Sequence, residues 1–358
     1  MRTFLSLNYG SSSLKYAKFA ERDLLFKETI QIKGLKDLKR AIIDIRKRIT
    51  EEPYAVVHRV VHGMDYKSPM PINNKNIKIL EKLSEINPLH NSMALYGIKL
   101  SLKIFPKSRQ YSIFDTDFHR DIPEYAKLYG IDLKFYRQGI KRYGFHGISY
   151  SYLLKKSIEI LRNDKPNLII MHLGSGCSVS AIKEGKPVET SMGFSPLEGL
   201  IMSTRSGDLD PGVILYLLKR YRPEQIEKIL YRKSGIKGIF GSEDFREVIK
   251  SRYNDPNAKL AFLAFLHRLI KYVGSYWFVL DGKVDAIVFS GGIGENSPEL
   301  REELCQRISK FGVYIDKLKN LQNQIIISSQ YSPTKILNIK TDEESEMINI
   351  LLEKIGPE

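Results

Sequence analysis

Cysteine is nearly absent: Cys177 and Cys305 are the only two in 358 residues. Two thiols build neither a disulfide framework nor a four-ligand zinc site, so a reducing cytoplasm is the expected compartment. Long apolar runs are missing as well. None approaches the roughly 18 residues that span a bilayer, so no membrane segment is expected. The opening Met1-Arg2-Thr3-Phe4-Leu5-Ser6-Leu7-Asn8 lacks the apolar core and small-residue cleavage site of a signal peptide. Negative charge is scarce, with 41 acidic against 56 basic side chains and a formal charge of +15. That excess admits nucleic-acid binding, but the lysines and arginines are spread over many segments. No zinc-finger spacing or RNA-recognition aromatic signature accompanies them. A basic solvated surface that attracts anionic substrates is the preferred reading, and nucleic acid is not expected as a partner.

What is present is a folded chain of two-domain length, 42% hydrophobic. Thr3 to Leu7 reads as a strand, Asn8-Tyr9-Gly10-Ser11-Ser12-Ser13 as a tight turn and Leu14 to Phe19 as a second strand. The pattern recurs 164 residues on. Asn167 to Met171 is a strand, His172-Leu173-Gly174-Ser175-Gly176-Cys177-Ser178 a turn, and Val179 to Ile182 a strand. Asn8 matches His172, Gly10 matches Gly174 and Ser11 matches Ser175. One degenerate repeat at this spacing implies a duplicated domain. Further helices are expected over Lys36 to Ile49, Lys75 to Glu85, Ser92 to Phe105, Tyr150 to Leu161, Pro211 to Tyr221, Pro223 to Tyr231 and Ala258 to Leu280. Strands are expected at Tyr54 to Val61, Tyr111 to Phe114, Val284 to Phe289 and Lys335 to Ile339.

No Walker A sequence occurs. The two glycine-serine hairpins offer another way to cradle phosphate, because glycine lets the backbone approach and serine hydroxyls and amides donate. A third glycine turn, Ser290-Gly291-Gly292-Ile293-Gly294-Glu295-Asn296, joins a strand to a helix entered through Ser297 and Pro298. Strand, glycine turn and helix make a phosphate- or nucleotide-binding shape. A lone turn of this kind is usually just a hairpin, but three in one chain favour phosphate. Six of the seven histidines lie between residues 58 and 172 without metal-ligand spacing. Each alone reads as structural, and together they suit an anion site. Arg59 lies in His58-Arg59-Val60-Val61-His62-Gly63 and Arg205 in Ser203-Thr204-Arg205-Ser206-Gly207-Asp208, and a guanidinium fork suits carboxylate or phosphoryl oxygens. Asp115 terminates a strand, a placement shared by catalytic carboxylates and simple caps.

Taken in order, Asn8 to Lys15, His58 to Gly63, Pro88 to Asn91, Phe114 to His119, Arg142 to Gly147, His172 to Ser178, Thr190 to Pro211, Asp244 to Arg246, Ile287 to Pro298 and Thr341 to Glu344 resemble the acetate kinase family. That family lies within the superfamily of sugar kinases, actin and Hsp70. The resemblance implies a duplicated α/β fold of ribonuclease H-like domains. Each would carry a mixed five-stranded sheet flanked by helices, with the active cleft between them. Domain I would cover 1–149 plus 344–358 and domain II 150–343. It implies ATP as co-substrate, Mg²⁺ (or Mn²⁺) held by Asn8 and Glu343, acetate as acceptor and a homodimer. By resemblance, Asp115, His146 and Arg205 are catalytic, and Arg59 binds the substrate carboxylate beside an apolar pocket of Val61, Leu89, Phe145 and Pro196. Lys15, Ser11, Ser13, His172, Leu173, Gly174, Ser175, Gly176, Asp244, Phe245, Arg246, Gly292, Ile293, Gly294, Glu295 and Asn296 would bind ATP. An acetate nucleophile is already ionised at pH 7, so Asp115 is expected to orient Mg²⁺ or Arg59 rather than take a proton. Tyr150, Ile148, Ser175 and Ser92 depart from the residues common in the family. A propionate kinase and a pyrophosphate-using relative are the in-family alternatives. A non-catalytic anion- or nucleic-acid-binding protein on the same scaffold is the alternative of another class.

Overall fold

The computed structural model describes every residue except Ser11, Asn87, Pro357 and Glu358, and it leaves out the side chains of Ile86, Pro88, Leu89 and His90. The chain divides into two compact units. One holds residues 1–120, 145–152 and the C-terminal stretch from Asp342; the other holds 121–144 and 153–341. Segment 121–144 thus falls on the other side of the boundary from the sequence expectation. Its attachments explain why: Arg142 Nη2 donates to Glu198 at 2.7 Å, and the Tyr143 N–H donates to Gly193 O at 3.0 Å.

The first sheet is built from β1 (Thr3–Tyr9), β2 (Ser13–Ala20), β3 (Asp23–Gln31), β4 (Ala55–Val60), β5 (Met70–Pro71) and β6 (Arg109–Phe114), in the order β3-β2-β1-β4-β6-β5. β1, β4 and β6 run parallel, and β2, β3 and the short β5 are antiparallel to their neighbours. The two-residue β5 makes this sheet six-stranded where five strands were expected. It pairs only through Met70 with Ser112 and Pro71 with Tyr111, and Pro71 suits an edge because it has no N–H to offer. The second sheet contains β7 (Leu168–Leu173), β8 (Cys177–Lys183), β9 (Lys186–Thr190), β10 (Ala286–Ser290) and β11 (Lys335–Asn338), in the order β9-β8-β7-β10-β11. Read from the hairpin outward, both sheets repeat one plan: two antiparallel strands, the opening strand, then two parallel strands. Asn8 and His172 each stand one residue before the end of that opening strand.

Alternation along the first sheet separates two cores. Leu5, Leu7, Tyr9, Val56, His58, Val60 and Phe114 face the helices Leu35–Arg48 and Pro88–Ile104. Phe4, Ala17, Phe19, Ala55, Val57 and Ile113 face Met347, Ile348, Leu351 and Leu352 of the closing helix Glu343–Ile355. Each fully buried Leu, Ile, Val, Phe or Met among them is worth about 1.5–3 kcal/mol. Asn8 and Arg59 belong to this second face. In the other unit β7 and β10 are near-continuous apolar runs, buried on both sides. The helix Pro256–Val279 starts where the Asp255 carboxylate accepts from the N–H groups of Asn257 and Ala258.

Candidate functional site

Three parallel strands of the first unit deliver polar side chains at their C-terminal ends. β1 carries Asn8, β4 carries Arg59, and Asp115 follows β6, its N–H donating to Val60 O at 3.1 Å. The closing helix meets them with its N-terminus. Asp342 caps it by accepting from the Ser345 N–H, and Glu343, Glu344 and Glu346 fill the first turn, where the positive end of the helix dipole favours them.

These groups form one hydrogen-bonded cluster. Arg59 Nε donates to both Asp115 oxygens, at 2.9 and 3.1 Å, and Nη2 donates to Oδ2 at 2.6 Å. Its Nη1 donates to Asn8 Oδ1 at 3.0 Å and stands 3.4 Å from Glu343 Oε2. Asn8 Nδ2 donates to Glu343 at 2.9 Å and to Glu344 at 2.8 Å, which fixes the orientation of the amide. Lys27 on β3 closes the outer side, 2.6 Å from Glu344 and 2.8 Å from Asp342. Burial, helped by the nearby Glu343, pushes the Asp115 carboxyl up, with the Arg59 guanidinium pulling the other way. Burial opposes the charge on Arg59, but Asp115, Glu343 and Glu344 outweigh it and raise its pKa.

On the other face of the sheet lies a buried relay. Gln110 Nε2 donates to Phe105 O at 3.3 Å, and its Oε1 accepts from Ser101 Oγ at 3.0 Å. His58 Nε2 stands 2.7 Å from that Oε1, and His58 Nδ1 stands 2.8 Å from Tyr9 Oη. An acceptor at Nε2 and a hydroxyl at Nδ1 suit a neutral ring. Burial depresses its pKa to about 4.

His146 sits beside this strand end in a left-handed conformation, φ 59°, a placement that costs energy outside glycine or asparagine. The next residue holds it there. The Gly147 N–H donates to Asp115 O at 2.9 Å, and a Cβ on Gly147 would lie 2.2 Å from that oxygen. Phe145 is buried with its ring edge-on to His62 at 5.3 Å, and Val61 is half-buried. Lys15 is exposed on β2, paired in register with Asn8, and Ser13 is half-buried. Ser11 lies outside the described residues, as does the side chain of Leu89.

The second unit assembles its own group. Between β7 and β8 the Gly174 N–H donates to Gly176 O at 3.0 Å, and Ser175 O accepts from the Ser203 N–H at 3.2 Å. His172 is half-buried and Leu173 is buried. The hairpin is therefore tied to the loop that carries Arg205, whose Nη1 donates to the carbonyl of the buried Pro196 at 2.9 Å. The segment after β10 is a short helix, Gly291–Asn296, where a glycine turn was expected. Gly291 has φ 77°, and a Cβ there would lie 2.6 Å from Leu173 O, so only glycine lets the segment sit on the hairpin. Glu295 Oε1 accepts from the N–H groups of Gly291 and Thr341 at 2.9 and 3.1 Å. Gly292 and Asn296 are exposed, Ile293 is half-buried and Gly294 is buried. Asp244 caps the helix Phe245–Ser251 and pairs with the exposed Arg246 at 2.6 Å, while the Phe245 ring is buried against Phe262 and Phe265.

Sequence reasoning passed over Glu344 and Lys27. The acidic doublet before the last helix was visible, but its basic partner stands on β3, whose mostly exposed residues give little strand signal. Tyr9 was missed because its hydroxyl meets His58 only once the strands pair. Among the described residues no group of three or more His, Cys, Asp or Glu side chains is arranged to hold a metal ion, and no helix is long and apolar enough to cross a membrane.

Two sheets of one plan, each opening with a hairpin at a strand end, define a duplicated α/β protein of the actin-like ATPase fold. Among solved structures, a propionate kinase from Francisella tularensis superposes with a TM-score of 0.90 at 34% identity, over 98% of this chain and 99% of that one. Porphyromonas gingivalis acetate kinase gives a TM-score of 0.88 at 32% identity, over 99% and 100%. The acetate kinase of Sulfurovum sp. (strain NBC37-1) is 38% identical over 96% of each chain. Residues 29–349 match the description of the acetokinase family, and the chain belongs to that family.

Proposed function

We propose that this protein transfers the γ-phosphoryl group of ATP reversibly onto acetate, giving acetyl phosphate and ADP. The observation that carries this reading is the buried cluster of Arg59, Asp115, Asn8 and Glu343. A guanidinium has five N–H groups. Asp115 and Asn8 take three of those on Arg59, and Nη1 also stands 3.4 Å from Glu343 Oε2; the N–H groups beyond these are the ones an incoming carboxylate would meet. The fork is held rigidly by Asp115 from one side and by the Asn8 amide from the other, which is the pre-organisation a small acid needs.

In this reading acetate lies on Arg59, with its methyl group toward Val61 and Phe145. Its carboxylate is the nucleophile, so no proton has to be removed. Asp115, committed to Arg59 through two oxygens, orients the fork. His146 and Arg205 stabilise the charge spread over the equatorial oxygens of the transferring phosphoryl group, each by about 2–4 kcal/mol. Lys15, Ser11, Ser13 and the hairpin His172 to Gly176 serve the phosphates. Asp244, Phe245, Arg246 and the residues Gly292 to Asn296 serve the nucleoside.

The Asn8 amide oxygen and the Glu343 carboxylate are hard oxygen donors, too few to hold a divalent cation by themselves. Asn8 and Glu343 would hold Mg²⁺, with water and phosphate oxygens completing its shell. When bound, Mg²⁺ supplies charge neutralisation between two anionic substrates. Two buried free thiols, Cys177 and Cys305, fit a reducing cytoplasm. The helix Pro211–Leu217 buries none of its residues and exposes Leu215 and Tyr216, which suits a homodimer contact.

The test is trapping of acyl phosphate as the hydroxamate with acetate, propionate and butyrate, each with ATP and separately with pyrophosphate. Acetate with ATP is expected to give the highest kcat/KM. Propionate is the second reading, favoured by the likeness to the Francisella protein. One methylene shifts discrimination by only about 1–3 kcal/mol. Absence of acyl phosphate in every combination would remove the proposal.

A further inference from the structure

The largest fully buried side chain among the described residues is Arg301, 0% exposed in the helix Pro298–Arg307. All five of its N–H groups have neutral acceptors. Nε donates to Asn320 Oδ1 at 2.7 Å, and Nη2 donates to Asn320 O at 2.9 Å and to Asn323 Oδ1 at 2.5 Å. Nη1 donates to Gly294 O at 2.6 Å and to Glu295 O at 2.9 Å. Among the described residues no carboxylate pairs with it. A buried guanidinium without an anion is costly, and an apolar side chain of similar volume would fill the space more cheaply. Burial lowers its pKa to about 10, which leaves it charged at neutral pH.

What the charge holds is specific. Gly294 O and Glu295 O are among the last carbonyls of the helix Gly291–Asn296, the negative end of its dipole. Gly294 is buried, so without a donor its carbonyl would be orphaned, and Glu295 O accepts besides from Asn338 Nδ2 at a longer 3.4 Å. The other arm of the fork is fixed by Asn320 and Asn323. Asn320 belongs to the helix Lys317–Leu321 and is itself anchored, its Nδ2 donating to Pro298 O at 2.9 Å. Asn323 follows at φ 52°, a conformation asparagine tolerates. Residues 301, 320 and 323 thus form a bracket on the buried side of a segment whose other side presents Gly292 and Asn296 to solvent.

We propose that Arg301 is a positioning residue for nucleotide affinity, holding Gly292 to Asn296 in the conformation that receives the adenosine part of ATP. The inference rests on the reading that this segment binds the nucleotide. Arg301 touches no ligand and acts through the two carbonyls. It therefore governs the adenosine contact, not the phosphates or the acetate site.

The test compares wild type, Arg301→Lys and Asn323→Gly. A lysine ammonium keeps the charge but its three donors cannot span five acceptors. Arg301→Lys should raise the ADP dissociation constant and the KM for ATP about tenfold or more, the loss expected for one or two charge-assisted hydrogen bonds. The KM for acetate and the dissociation constant for pyrophosphate, which lacks the nucleoside, should stay near wild type. Asn323→Gly keeps the backbone conformation and removes one acceptor, so it should move ADP affinity the same way by a smaller factor. It decides the matter if the lysine variant does not fold. Wild-type ADP affinity in the variants, or an equal loss of ADP, pyrophosphate and acetate binding, overturns the inference and leaves the proposed function standing. Failure of the wild type itself to bind ADP overturns the nucleotide reading and the inference with it.

Discussion

Replacing Arg59 by lysine keeps the positive charge and removes the fork. In the structure the guanidinium spends three N–H groups on Asp115 and Asn8, and its Nη1 also stands 3.4 Å from Glu343 Oε2; in the proposed reading the rest of the fork grips the substrate carboxylate. An ammonium has three donors from one atom and cannot hold Asp115 through two oxygens while also gripping a carboxylate. At least two charge-assisted hydrogen bonds disappear, each worth about 1.5–3 kcal/mol. The combined loss corresponds to a fall in kcat/KM for acetate on the order of 10²–10⁴. The carboxylates of Asp115 and Glu343 still face a cation, so the fold should survive. Arg59→Ala provides the contrast. It leaves Asp115 buried without its counter-charge and should cost about 3–5 kcal/mol of stability as well. The assay is hydroxamate trapping at varied acetate and saturating ATP, beside thermal unfolding of both variants. A lysine variant within fivefold of wild type in kcat/KM would refute the reasoning, because it would show that the fork is not what binds the acid.

Other consequences are open to measurement. Gly147→Ala puts a methyl 2.2 Å from Asp115 O. The forced shift of about 1 Å should lower kcat about 100-fold, and a kcat near wild type would mean that the contact relaxes without moving Asp115. Arg205→Ala should drop turnover by about 10²–10³ while sparing ATP binding; near-native turnover would remove Arg205 from the mechanism. His58 is held neutral with its pKa lowered from 6.5 to about 4. The unfolded chain therefore binds the extra proton first. The stability due to the neutral ring is complete above pH 6.5 and is lost as pH falls toward 4, by about 3 kcal/mol in all. Denaturant unfolding at pH 7.5 and pH 4.5 should show a smaller acid loss in His58→Gln than in wild type, and equal losses would contradict the burial argument.

Much of the architecture could be read before the fold was seen, and for physical reasons. The strand-hairpin pattern at Asn8 and His172 depends on local turn chemistry, and it lands on β1 and β7 as equivalent strands of the two sheets. The helix Pro256–Val279 and the strand β10 have strong local signals in their periodicity and apolar runs. The edge strands β3 and β9 were invisible, because a strand with one solvated face and no flanking punctuation resembles a polar loop. The same limit applied to the sites. Arg59 and Asp115 lie in recognisable segments. The bond between Lys27 and Glu344, the Tyr9–His58 contact and the Arg301 bracket join residues far apart in sequence, and no local pattern encodes them. Arg301 is one of several charged residues in its helix, and only its burial sets it apart.

The central claim is that an oxygen of the small acid attacks the γ-phosphorus. Phosphorus NMR of the purified protein with ATP, Mg²⁺ and ¹⁸O-labelled acetate reads this directly. The account predicts ADP together with acetyl phosphate whose phosphorus signal carries the isotope shift of a bridging ¹⁸O. Inorganic phosphate as the only phosphorus product beside ADP, with no acetyl phosphate signal, would contradict it.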